Sequence, residues 1–124
     1  MRLMHFTLCE FDSPDQPGSG RFMDESFLMR LDRARERAGI PFVISSGYRS
    51  PEHQEALRAK GYKVSAKSAH MKGMAADIVC HTSHDRWIIL QALLREGFSR
   101  IGIGPGFIHV DCDQSKNAEL IWTY

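Results

Sequence analysis

Ser68-Ala-His70-Met-Lys-Gly73-Met-Ala75-Ala-Asp77 and, further along, His109-Val-Asp111 are the residues whose types and spacing could do chemistry. They offer two imidazoles and a carboxylate, set by a glycine-containing turn and short extended segments. Two histidines and a carboxylate can hold Zn²⁺ through three protein ligands and leave the fourth position open to water. An open position separates a catalytic zinc from a structural one, because such a metal activates water or polarises a carbonyl. In a strand, residues two apart share a face, so His109 and Asp111 point one way while Val110 and Cys112 point the other. Glycine at 73 permits a turn that folds His70 back toward Asp77. An ionised Asp77 inside an apolar strand needs a partner, and a metal is an effective one. Taken singly, each of these residues also suits an ordinary core, turn or cap position; the joint spacing is what points to a metal. His5, His53, His81 and His84 have no comparable partners.

The elements that must position these groups follow from periodicity and caps. Residues 1–20 read as irregular, with turn clusters at Ser13-Pro-Asp15 and Pro17-Gly-Ser-Gly20. Met23, Phe27, Leu31 and Ala34 recur at helical spacing, and Gly39 and Pro41 stop a helix of 24–38. Phe42-Val-Ile-Ser45 reads as a buried strand. Ser50-Pro51 starts a second helix that Gly61 closes. Ala75 to Cys80 is the next strand, and Ser83 caps a third helix that carries Trp87, Ile88, Leu90, Leu93 and Leu94 and ends at Gly97. Phe98 to Ile103 and Phe107 to Cys112 flank Gly104-Pro-Gly106 and predict a hairpin. No helix opens after those glycines and no Lys-Ser/Thr follows, so they are a turn and not a phosphate loop. The expected fold is α+β: helices packed on a small, mainly antiparallel sheet that carries the zinc site.

A chain of 124 residues with ordinary hydrophobic content can bury one core, which predicts a single domain over 1–124. A net charge of +1 with dispersed basic residues gives no electrostatic reason for a nucleic-acid or anionic-membrane partner, and a monomer is expected. Cys9, Cys80 and Cys112 form no CxxC pair and leave one over in any disulfide scheme, as in a cytoplasmic protein with reduced thiols. The N-terminus lacks a long apolar stretch, so neither a signal peptide nor a transmembrane helix is expected. A target outside a membrane would then require something else to release the protein.

Ser68-x-His70-x-x-Gly73-x-Ala75-x-Asp77 resembles the SxHxxGxAxD signature of the M15 zinc peptidases. That group includes D-Ala-D-Ala carboxypeptidases, vancomycin-resistance dipeptidases and phage L-alanyl-D-glutamate endolysins, and shares a metal-site fold with the hedgehog signalling domain. Phe42-Val-Ile-Ser-Ser-Gly47-Tyr48-Arg49-Ser50 resembles the family's SGYR segment, and Phe107-Ile-His109-Val-Asp111 resembles its last metal-ligand strand. The closing Trp122-Thr-Tyr124 is similar to the compact, single-domain branch.

The resemblance implies that His70, Asp77 and His109 are the ligands of one Zn²⁺ per chain. It makes Arg49 an arginine that binds substrate or stabilises the developing oxyanion, as a guanidinium can through two parallel hydrogen bonds. Ser68 would orient the His70 loop or touch substrate. Many members carry an acidic or histidine general base shortly before the last ligand, but Gly102 to Ile108 hold no titratable group here. The nearest candidate is Asp111, either as the base or as a hydrogen-bonding partner that orients a ligand imidazole. The implied function is a zinc metallopeptidase that cuts a peptidoglycan stem peptide, as a D-Ala-D-Ala carboxypeptidase or an endolysin-like endopeptidase. The lack of a wall-binding domain would suit a phage or prophage product. The alternative is a catalytically inactive zinc-binding or interaction module on the same fold.

Overall fold

Helix α1 (Glu25–Ala38) starts at Asp24, whose carboxylate accepts a hydrogen bond from Phe27 N at 2.9 Å, and stops at Gly39 in the left-handed region. Its stripe of Phe27, Leu28, Leu31 and Ala34 is fully buried. Helix α2 (Pro51–Ala59) is capped by Ser50, which accepts from His53 N at 3.0 Å, with Pro51 at the first helical position. Helix α3 (Ser83–Arg95) is capped by Thr82 and not by Ser83. Thr82 is the residue still in extended conformation, so its hydroxyl can turn to accept from Asp85 N at 3.1 Å. The computed structural model describes residues 1–65 and 67–124.

Five strands form one sheet: β1 (Ile44–Ser46), β2 (Ala75–Val79), β3 (Arg100–Ile103), β4 (Phe107–Asp111) and β5 (Leu120–Thr123), in the order β1-β2-β4-β3-β5. Every neighbouring pair is antiparallel except β3 and β5, which run parallel, so the fold is α+β with a mostly antiparallel sheet. The strands are shorter than the apolar runs that signal them. Phe42 is buried in the core, but pairing with β2 begins only at Ile44 and carries a bulge before Ser46. The β3–β4 hairpin turns at Gly104-Pro105-Gly106 as expected, whereas β5 was not anticipated.

Strand alternation divides the sheet into two faces. Ala76, Ile78, Ile101, Ile108 and Val110 join α1 and α3 in the core. Asp77, Gly102, His109 and Asp111 lie at the alternate positions. The segment ahead of α1 adds Phe6, Phe11 and Met23 to the core and contains two short 3-10 turns, Leu8–Phe11 and Ser19–Phe22. Among the described residues, no helix is long and apolar enough to cross a membrane.

Candidate active site

Asp77 on β2 and His109 on β4 are direct cross-strand partners. His109 Nδ1 lies 2.9 Å from Asp77 Oδ1. His70 arrives from the other side on the 3-10 turn Ala69–Lys72, which places its Nε2 3.3 Å from the same oxygen. The turn is capped by Ser68, whose hydroxyl accepts from His70 N at 3.2 Å. It is ended by Gly73 at φ +71°, where a Cβ would sit 2.4 Å from the Phe22 carbonyl oxygen. Glycine is therefore needed at 73 both for its conformation and for the space. One donor atom from each of His70, Asp77 and His109 lies within 4.8 Å of the others.

The far nitrogen of each imidazole is also held. His70 Nδ1–H donates to the Gly47 carbonyl at 2.8 Å, and His109 Nε2–H donates to Asp111 Oδ2 at 2.7 Å. A carbonyl and a carboxylate can only accept, so in the neutral imidazoles these bonds favour the tautomers that turn His70 Nε2 and His109 Nδ1, as lone pairs, toward Asp77. Two lone pairs and a carboxylate brought this close repel one another unless a cation, a proton or a metal ion, sits among them. The donor set and the outer hydrogen bonds both fit a metal ion.

With protons in place of a metal between these groups, the electrostatics follow the same contacts. Burial would push the Asp77 carboxyl up, but hydrogen bonds to His109 and His70 outweigh it and hold the group well below the usual carboxylate range. Burial pushes His70 down, toward the neutral form a metal requires. Burial also opposes the charge on His109, yet its bonds to Asp111 and Asp77 raise it overall. Asp111 is lowered because His109 and Arg100 overcome its burial.

These groups lie in a cleft of about 850 Å³. Arg49 lines it, with its Nε donating to Ser46 Oγ at 3.0 Å and one terminal nitrogen 3.4 Å from Asp77 Oδ2. Burial pushes its guanidinium down from the ordinary arginine range. The structure thus brings His70, Asp77, His109, Arg49, Ser68 and Asp111 to one cleft. Ser68 caps the His70 turn, and Asp111 grips the outer nitrogen of His109. His53 also lines the cleft, whereas His81 and His84 are exposed outside it.

Three further residues at the site have no role assigned from the sequence. Arg100 is paired directly with Asp111 across β3 and β4, and counting back from the Gly104-Pro105-Gly106 turn would have found it. Gln54, almost fully buried, donates to the Ser65 carbonyl at 2.7 Å and accepts from Arg49 at 3.5 Å, tying that arginine to the cleft rim. Trp122 lies with its ring 5.6 Å from that of His109, over Gly102, where a Cβ would come within 2.6 Å of the indole. A family model described as Peptidase M15 matches residues 5–111. No curated protein matches the chain.

Proposed function

The chain belongs to the peptidase M15 family, and on that basis we propose that it is a zinc-dependent peptidase of bacterial peptidoglycan stem peptides. The bond cut would be that of a D-Ala-D-Ala carboxypeptidase or of an endolysin-like endopeptidase. The observation that carries the proposal is the convergence of His70, Asp77 and His109 in a cleft that also presents Arg49. His70, Asp77 and His109 would hold the zinc. When bound, zinc supplies a Lewis acid that lowers the pKa of water toward ~7 and polarises a carbonyl.

The chain's own groups supply the rest. Arg49, anchored by Ser46 and Gln54, offers N–H donors to a substrate carboxylate or to the scissile oxygen as charge develops. Ser68 keeps the His70 turn closed and has its hydroxyl engaged in that cap. Asp111 acts as the orienting partner of His109. Its Oδ2 accepts from His109, and its Oδ1 accepts from Arg100 at 2.7 Å and from Asp113 N at 3.1 Å, which leaves it poorly placed to take a substrate proton. The proton acceptor would then be His53, on the α2 wall of the cleft.

One observation favours a second reading, a zinc-binding module without turnover. Among the described residues, the carboxylates lining the cleft are Asp77 and Asp111, and both are engaged. Elemental analysis and mass spectrometry of defined muropeptides separate the two readings. The peptidase gives about one zinc per chain, lost in His109→Ala, and one new product whose mass identifies the bond. Zinc without cleavage establishes the binding module, and absence of zinc rejects both.

A further inference from the structure

We infer that Arg100 is a positioning residue for the metal centre, acting on both flanks of His109 through Asp111 and Trp122. The inference rests on the reading of His70, Asp77 and His109 as metal ligands.

The geometry is that of a double brace. Arg100 Nε donates to Asp111 Oδ1 at 2.7 Å, and Asp113 N donates to the same oxygen at 3.1 Å. With Oδ1 pinned by two donors, the carboxylate plane has one orientation, and Oδ2 is left facing His109 Nε2 at 2.7 Å. The far end of the guanidinium is fixed by a hydrogen bond to the Asn117 carbonyl. Its carbon lies 5.0 Å from the centre of the Trp122 ring, at cation–π distance. Trp122 in turn lies 5.6 Å from the His109 ring, in the space that Gly102 leaves open. One side chain therefore fixes the carboxylate at the edge of the imidazole and the indole against the ring.

Arg100 lines the cleft, but its Nε and one terminal nitrogen are held by Asp111 and Asn117 and its side chain is only 12 % exposed, which suits it to bracing the site. The planar fork is essential to the brace. A lysine ammonium could keep the charge beside Asp111, but it could not hold the Asn117 carbonyl and stack on the indole as well.

The test uses the full chain and its Arg100→Lys and Arg100→Gln variants. Zn²⁺ affinity is measured by competition with a chromophoric chelator, and site geometry by the visible absorption of the Co²⁺-loaded protein. Circular dichroism checks that each variant is folded. Arg100→Gln should bind Zn²⁺ about 10–100-fold more weakly, the usual effect of losing an outer-shell partner. Arg100→Lys should show a smaller loss, and both should change the Co²⁺ spectrum. If Arg100→Gln does not fold, Arg100→Lys decides alone. A folded variant with the parent's Zn²⁺ affinity and Co²⁺ spectrum, even with a lowered unfolding midpoint, would show a merely structural role and overturn the inference. A parent chain that takes up no Zn²⁺ overturns instead the metal-centre reading beneath it.

Discussion

Replacing Asp111 with asparagine tests how His109 is prepared for a metal. The side chain keeps its shape, and its oxygen will stay with the two donors it already serves, Arg100 Nε and Asp113 N. That choice turns the amide nitrogen toward His109 Nε2, where a carboxylate oxygen now accepts at 2.7 Å. Two donors then face each other, and the imidazole can avoid the clash by moving its proton to Nδ1, the nitrogen aimed at Asp77. The lone pair meant for the metal is lost in that tautomer. Charged hydrogen bonds contribute about 1.5–3 kcal/mol. At about 1.4 kcal/mol per tenfold, that predicts zinc binding weakened by roughly 10–100-fold. Chelator competition measures the affinity, and excess zinc should restore activity. Affinity within about twofold of the parent would refute the tautomer argument. If turnover instead falls by about 10²–10⁴-fold with zinc fully retained, Asp111 is the general base.

Arg49→Lys should keep the fold and the zinc but lose turnover on a wall peptide, since lysine cannot reproduce a two-pronged grip; parent-like kinetics in Arg49→Ala would exclude a substrate role. Gly73→Ala places a Cβ 2.4 Å from the Phe22 carbonyl at φ +71°. The left-handed conformation and the forced displacement together should destabilise the chain by about 2–5 kcal/mol in urea unfolding, and a loss under about 1 kcal/mol would contradict this account. Burial opposes the charge of Asp113, but Ser115 and Lys72 overcome it and hold its carboxyl well below the usual carboxylate range. The stability this contributes is complete above the unfolded value near ~3.9 and is lost as pH falls through the lower folded value. Asp113→Asn should therefore flatten the acid limb of stability below about pH 4; an unchanged limb in urea titrations would reject the assignment.

Much of the scaffold could be read from the sequence because its signals are local. The α1 stripe, the Ser50-Pro51 start and the glycine-centred hairpin each lie within a few residues of the feature they predict. The candidate ligands were legible for the same reason: His70 and Asp77 share one turn-and-strand unit, and His109 sits on one face of a short strand. The parallel strand β5 was not, because Leu120 and Ile121 are exposed and give no inward–outward alternation. Its pairing with β3 is a long-range event, and Trp122 meets His109 only once that pairing forms. The two roles open to Asp111 could not be separated without Arg100, whose hold on Oδ1 depends on cross-strand register.

The stretch ahead of α1, irregular by sequence, serves as the mould for the two loops that carry Arg49 and His70. A Cβ on Gly47 would lie 2.7 Å from Phe11 Cα, and Tyr48 N, beside Arg49, donates to the Phe11 carbonyl at 2.8 Å. Ser50 N donates to Ser13 Oγ at 3.1 Å, and Ser50 Oγ donates to Asp15 at 2.7 Å. Asp24 N donates to the Gly73 carbonyl at 2.9 Å. Both loops, one bearing Arg49 and the other His70, are thus cast against residues 11–24. A protease that nicked this stretch would strip both loops of their support while leaving every candidate ligand on the chain, and trimming back to the first regular helix for crystallisation would do the same.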